Sequence, residues 1–268
     1  MLRYLLFLGL LLFATSLGAQ TATQEDLNLE SVFEGTTGTF VLYNVGGDNY
    51  KVYNADRASQ AFSVHSTSKI VWSIIGLEEG LIANDTAVMK WDKGKYPPGN
   101  FWPAGWSQDQ TVVSALKYSV NWYYFELMPL MTTEMVEQYL NHLDYQPGFQ
   151  VEKLHYFGLT YQIEKSAMEQ IAFLRQLYTN AFNLSPSTIS TIKKGMLQEP
   201  HDDYTLYYKT GAGEIKNGNC IGWVIGFVEK GDELYYFAMN IEDKDFKSIL
   251  GKRIVFTKEV LKELGVSE

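Results

Sequence analysis

The sequence is poor in the residues that staple a fold or bind metal. It has one cysteine, Cys220, so no disulfide can form within the chain and the fold must stand on its apolar core. Cys220 opens the apolar run of "NGNCIGWVIGF" and reads as a small buried hydrophobe rather than a nucleophile. The four histidines, at 65, 142, 155 and 201, include no pair at helical ligand spacing, which argues against a histidine-held metal. The "HDD" at 201–203 reads as a solvated loop. Positive charge is also scarce: 22 Lys and Arg face 31 Asp and Glu, for a net charge of -9. That balance supplies no broad basic face, so a nucleic-acid partner is not expected. No repeat of fixed period and no low-complexity tract is present.

Apolar residues are plentiful. At 268 residues and 46% hydrophobic, the chain can bury a large core, as one domain or two closely packed subdomains. The opening "MLRYLLFLGLLLFATSLGAQ" places Arg3 before an apolar run from Leu5 to Phe13, with small residues following up to Ala19. This is the layout of a secretory signal peptide over residues 1–19, and the run is too short to span a bilayer comfortably. No cysteine follows it, so a lipoprotein anchor has no attachment point. The expectation is a periplasmic or secreted protein without a stable membrane anchor. Its domain would cover 20–268 and open on a loose polar segment, "QTATQEDLNLES".

Periodicity orders the rest. "GTFVLYNVGGDNYKVYNADRA" reads as a hairpin turning at Gly46-Gly47-Asp48. From Lys69 to Glu79, Ile70, Val71, Ile74, Ile75 and Leu77 fit a largely buried helix stopped near Gly80. Residues 91–109, rich in Pro, Gly and Trp, read as an ordered surface excursion. Residues 122–143 and 166–181 read as helices, and 205–209 as a strand. "CIGWVIGFVEKGDELYYFAMNIE" reads as a hairpin turning at Lys230-Gly231-Asp232, and "RIVFTKEVLKELG" as a closing helix. The fold class is therefore α/β of the α+β kind. Strands from both chain ends share one antiparallel sheet flanked by helices, with a helical subdomain inserted between them, and a cleft between the two is the natural place for a site.

Three short motifs carry chemistry. Ser-x-x-Lys occurs at Ser66/Lys69, Ser114/Lys117 and Ser190/Lys193, but only the first opens a strongly apolar helix. At i, i+3 the lysine shares a helical face with the serine. The helix N-terminus adds positive potential at the serine oxygen. Apolar surroundings desolvate the lysine, lower its pKa and let it serve as a base. The second motif is Ser119-Val120-Asn121, for which helix capping is the bland alternative. The third is Lys209-Thr210-Gly211, running into Ala212-Gly213, where glycine permits close backbone approach. Its bland alternative is a strand-ending turn with a solvated lysine.

Together, and in this order, the three are signature elements of penicillin-recognising serine enzymes. The chain resembles the class D, oxacillinase-type β-lactamases and their relatives, the penicillin-sensing domains of β-lactam receptors. The similarity runs from about Phe33 to Leu264. It is carried by "STSKI" followed by "IIGLEEGLI", "MKWDKGKY", "SQDQTVVSALKYSVNWYYFEL", "YKTGAG" and "IGWVIGFVEKGDELYYFAMNI". The resemblance implies that Ser66 attacks the β-lactam carbonyl and becomes an acyl-ester, with the backbone N–H groups of Ser66 and Ala212 as oxyanion hole. It implies that Lys69 is the base, in this class commonly bearing a carbon dioxide-derived carbamate, with no other cofactor. Ser119 would relay a proton to the leaving nitrogen, with Asn121 beside it. Lys209 and Thr210 would meet the substrate carboxylate, in the Lys-Thr-Gly element that includes Gly211, helped by Lys252 or Arg253.

The chain departs from the class pattern in three places. Ser68 stands where Phe is usual. Tyr145-Gln146-Pro147 stands where Tyr-Gly-Asn is expected. "LHYFGLTYQIEKSAMEQ" offers Tyr156, Phe157 and Tyr161 but not the tryptophan that supports the carbamate in this class. Two functions follow from the resemblance. One is a β-lactamase that acylates and deacylates; the other is a receptor-like protein that stays acylated. A D,D-peptidase is a third. The sequence leaves the β-lactam spectrum and the oligomeric state open.

Overall fold

The computed structural model describes residues 22–99 and 102–267, and its centre is a seven-stranded sheet. In chain order the strands are Thr23–Asp26 (β1), Thr37–Asn44 (β2), Asn49–Tyr53 (β3), Phe62–Ser63 (β4), Glu164–Lys165 (β5), Leu197–Pro200 (β6), Thr205–Glu214 (β7), Cys220–Lys230 (β8) and Glu233–Asp243 (β9). The sheet runs β1-β3-β2-β9-β8-β7-β6, while β4 and β5 pair separately. Neighbours are antiparallel except β1 with β3. Strands from both chain ends therefore share one sheet, as the sequence pattern implied.

Burial on both faces explains why β2, β8 and β9 read as nearly unbroken apolar runs. Side chains alternate along each strand. In β2, Val41 and Tyr43 join one core while Phe40 and Leu42 join the other; in β8, Trp223, Ile225 and Phe227 divide from Val224 and Val228 in the same way.

Ten helices flank the sheet among the described residues: Glu30–Phe33 (α1), Ala55–Ala58 (α2), Lys69–Glu78 (α3), Val112–Lys117 (α4), Asn121–Leu127 (α5), Thr133–His142 (α6), Tyr156–Gln162 (α7), Ala167–Tyr178 (α8), Pro186–Met196 (α9) and Phe246–Glu263 (α10). The smaller core sits between the sheet and α1 and α10, through Phe33, Phe256, Val260 and Leu261. The larger lies between the sheet and the helices from α3 to α9. The start of α8 is set by a reciprocal capping box, Ser166 with Glu169, and α4 by Thr111 with Ser114.

Several sequence expectations need correction. The polar segment after the expected leader is not loose throughout: Thr23–Asp26 adds a parallel edge strand whose side chains are all exposed, so backbone pairing rather than apolar burial places it. The leader itself, residues 1–19, lies outside the described residues. The stretch 122–143 is not one helix. Pro129 lies in a 3-10 turn, Met128–Leu130, and Thr132 caps α6 anew. The strand expected at 205–209 continues to Glu214, so Lys-Thr-Gly lies inside β7 rather than at its end. The closing helix starts earlier, at Phe246, behind an Asp245 cap. Cys220 is half-buried rather than core.

Candidate active site

A 3-10 turn, His65–Ser68, carries Ser66 into the N-terminus of α3. Side chains knit the turn to itself: Thr67 Oγ1 donates to the Val64 carbonyl at 2.8 Å and Ser68 Oγ to the His65 carbonyl at 2.7 Å. Ser68 is fully buried, and it accepts from Trp72 Nε1 at 3.0 Å. The polar residue where the class usually has Phe thus closes the serine turn from inside.

Lys69 is the first residue of α3 and is wholly buried. Its Nζ lies 3.0 Å from Ser66 Oγ, 3.1 Å from the Ser119 carbonyl, 3.2 Å from Ser119 Oγ and 2.6 Å from Asn121 Oδ1. None of these partners is a carboxylate. Burial pushes the Lys69 pKa well down, and the nearby charge of Lys209 adds to the effect. Ile70, Val71, Trp72, Ile74 and Ile75 are fully buried on the same helix. At about 1.5–3 kcal/mol each, they outweigh the several kcal/mol that desolvating one amine costs.

Ser119 sits between α4 and α5 with φ of 56°, in the left-handed region, a strained choice for a serine. Capping does not explain the second motif. The residue before α5 is Val120, which makes no side-chain cap, so the Asn121 amide is left for Lys69. Lys209 is only 1% exposed, which removes the reading of a solvated lysine. It donates to Ser119 Oγ at 2.9 Å and to the Thr210 carbonyl at 2.8 Å. Its pKa too is pushed well down, by burial and then by Arg253.

Gly211 has a specific steric task. A Cβ there would stand 2.8 Å from the Val64 carbonyl and 3.1 Å from Thr67, so only glycine lets β7 lie against the serine turn. Gly213 does the same for His65, whose ring would be 2.3 Å from a Cβ. Arg253, on α10, donates to the Gly211 carbonyl at 2.6 Å, and burial lowers its pKa to about 10, still charged at neutral pH. Lys252 instead faces Asp243 at 4.0 Å with its side chain 41% exposed.

Two cavities meet at Ser66. One, of about 410 Å³, is lined by Thr210, Gly211, Ala212, Ser119, Lys117 and Arg253, with Trp106, Tyr118 and Phe246 among its walls. The other, of about 420 Å³, is lined by His65, Tyr156, Phe157, Thr160, Tyr161, Gly213 and Glu214. Ser66, Asn121, Ala212 and Phe246 border both. The structure thus gathers Ser66, Lys69, Ser119, Asn121, Lys209, Thr210, Gly211, Ala212 and Arg253 around one groove. Ser114 is spent in its capping box, and Lys193 pairs with Glu229.

Sequence reasoning named Tyr156, Phe157 and Tyr161, which wall the second cavity, but did not reach Tyr118 and Phe246. Tyr118 and Phe246 belong to no motif, and their exposure alone marks them. Tyr156 does have a direct role in the geometry: its fully enclosed phenol lies 3.4 Å from Ser66 Oγ, and burial raises its pKa, keeping it a donor. The buried indoles around the site are committed elsewhere: Trp72 to Ser68, Trp122 to the Trp106 carbonyl and Trp223 to the Ser63 carbonyl. Among the described residues, no group of three His, Cys, Asp or Glu side chains is placed to hold a metal, and no helix is long and apolar enough to cross a membrane.

Residues 32–262 match the penicillin binding protein transpeptidase domain family. The chain is 35% identical to beta-lactamase OXA-48 of Klebsiella pneumoniae over 226 residues, 84% of this chain and 83% of that protein. It is 31% identical to the methicillin resistance mecR1 protein of Staphylococcus aureus over 217 residues, 81% of this chain but 36% of that protein, so it spans about a third of that relative's length. A class D beta-lactamase structure from Sebaldella termitidis superposes with a TM-score of 0.84 at 28% identity, covering 92% of this chain and 100% of the other. The C-terminal domain of the Bacillus licheniformis BlaR penicillin-receptor superposes at 0.82 with 27% identity, covering 92% and 98%.

Proposed function

This chain belongs to the penicillin binding protein transpeptidase domain family, homologous to class D β-lactamases and to a penicillin-receptor domain, and from that premise we propose that it is a serine β-lactamase working through a Ser66 acyl-enzyme. One observation carries the reading. Lys69 is fully buried without a carboxylate partner and stands 3.0 Å from Ser66 Oγ. Burial pushes the pKa of an amine so placed well below that of a free lysine, which favours its neutral form, whose lone pair can take the serine proton. Ser66 Oγ then attacks the β-lactam carbonyl, and the N–H groups of Ser66 and Ala212 receive the developing negative charge. The lactam C–N bond breaks as Ser119, held between Lys69 and Lys209, passes a proton to the leaving nitrogen. Thr210 and Arg253 offer the substrate carboxylate a hydroxyl and a cation in the first cavity, with the Lys209 side chain behind them.

The surroundings of Lys69 suit a carbon dioxide-derived carbamate: burial lowers the amine's pKa, and the hydroxyls of Ser66 and Ser119 reach it while that of Tyr156 reaches Ser66. Such a group would supply its carbamate oxygen as the general base for the deacylating water. Water attack then returns Ser66 and releases the opened acid.

The engagement of the Trp72, Trp122 and Trp223 indoles elsewhere favours a second reading, in which acylation is fast and deacylation slow, as in a receptor. Export to the periplasm or beyond, with removal of residues 1–19, fits either reading. Intact-protein mass spectrometry after mixing with benzylpenicillin tests both. The enzyme reading expects a transient adduct on Ser66 and accumulating hydrolysed drug. A stoichiometric adduct persisting for hours would decide for the receptor reading. No adduct at all would overturn both.

A further inference from the structure

Four aromatic side chains are more than a third exposed among the described residues, namely Tyr118, Phe157, Tyr161 and Phe246, and all four line the groove over Ser66. The other large apolar side chains as exposed, Val45, Val88, Leu130 and Val255, are aliphatic and line neither cavity. Leaving rings in water costs hydrophobic free energy, and their concentration at one groove marks a surface built to be covered.

The two halves of that groove differ in charge. The half on the Ser119 side is lined by Lys117 and Arg253. The half on the Tyr156 side has one formally charged side chain among its lining residues, the exposed Glu214. His65 brings no cation there, since burial lowers its pKa to about 4. The nearest lysine in sequence, Lys216, is engaged by Glu164 at 2.9 Å.

A penicillin bound with its carbonyl at Ser66 and its carboxylate toward Arg253 must extend its acylamino side chain the other way. Resting on the function proposed above, we infer that the second cavity selects β-lactams whose acyl side chain is an aromatic ring carrying a protonated amine, with the ring against Tyr156, Phe157 and Tyr161 and the ammonium facing Glu214. A ring fills the aromatic walls, and a neighbouring ammonium gains an ion pair and a cation–π contact. An anionic side chain would instead be repelled.

Three penicillins that share a phenylacetyl skeleton test this: ampicillin with an α-ammonium, benzylpenicillin with none, and carbenicillin with an α-carboxylate. Second-order acylation rates should fall in that order, by about three- to fivefold per step, the size an exposed ion pair supports. The spread should shrink as salt is added. Glu214→Gln should flatten the series and Glu214→Lys should reverse it. Three rates within twofold of one another in the wild type, or a spread that survives both substitutions, would overturn the inference while leaving the Ser66 chemistry intact. Failure of all three drugs to acylate Ser66 would overturn the functional reading beneath it.

Discussion

Lys209 Nζ donates to Ser119 Oγ across 2.9 Å, while Lys69 Nζ reaches the same hydroxyl at 3.2 Å. Two buried lysines thus share one serine, and the charge of Lys209 disfavours charge on Lys69. The Lys69 pKa is held down by burial and by Lys209, and that of Lys209 by burial and by Arg253.

Replacing Lys209 by Met keeps most of the volume and removes that field. The Lys69 amine should then hold its proton to higher pH, and the acidic limb of the acylation rate should move upward in pH. At neutral pH acylation should fall about ten- to a hundredfold, from loss of a contact worth roughly 1.5–3 kcal/mol. Acylation rates with a chromogenic β-lactam from pH 5 to 9 give both quantities. An unmoved limb would show that the two lysines are not coupled.

Lys69→Met should separate function from stability. Burial lowers the Lys69 pKa in the folded chain, so over the range between the folded and unfolded pKa values the unfolded chain binds that proton more, folding is penalised, and stability should rise with pH. Removing the amine should abolish acylation yet raise stability by about 1–2 kcal/mol in urea unfolding, a common trade at active sites. A less stable variant would contradict this account.

Acid should weaken the fold through His65. Its pKa is about 4 in the folded state because the ring is buried, against about 6.5 when unfolded. Between those values only the unfolded chain takes up the proton, so stability is present above pH 6.5 and lost as pH falls toward 4. The loss is on the order of 3 kcal/mol at 1.36 kcal/mol per pKa unit. His65→Gln should flatten the denaturation midpoint over this range. An unchanged slope would place the acid sensitivity elsewhere.

Tyr156→Phe keeps the ring, which packs edge-on to Phe125 and Phe157, and removes the hydroxyl near Ser66. With carbon-13 bicarbonate at alkaline pH, the wild type should show a carbamate resonance assigned to Lys69, and the variant a weaker one. Deacylation should slow about tenfold, or 1.4 kcal/mol, with acylation changed less. If the wild type shows no such resonance at any pH, the base is the free amine.

Elements whose residues speak for themselves were legible in the sequence. The hairpin turns at Gly46-Gly47-Asp48 and Lys230-Gly231-Asp232 and the apolar helix after Lys69 lie where local chemistry put them. The motif residues were visible too. Their burial was not. Gly211-Ala212-Gly213 looks like a turn, because nothing local says that the glycines serve a neighbour, the serine turn, that is remote in sequence. That misreading shortened β7 and left Lys209 in solvent. Lys252 and Arg253 could not be told apart without the phase of α10, which turns Arg253 toward Gly211 and Lys252 toward Asp243. The break in the middle helices was signalled by Pro129 and passed over because the apolar pattern continues across it.

β2 lies between β3 and β9, so Gly38 is bonded beside Ile241, and although β1 covers the β3 side of the opening hairpin, its β2 side has no neighbour until the chain's last hairpin is made. Pairing so distant in sequence closes a very long loop, which slows folding. During synthesis the serine turn exists long before the strand that completes it. Until β9 arrives, one edge of β2 stays unpaired, and the growing chain carries an adhesive strand edge and an inert nucleophile. Competence comes late and all at once, when the final hairpin docks.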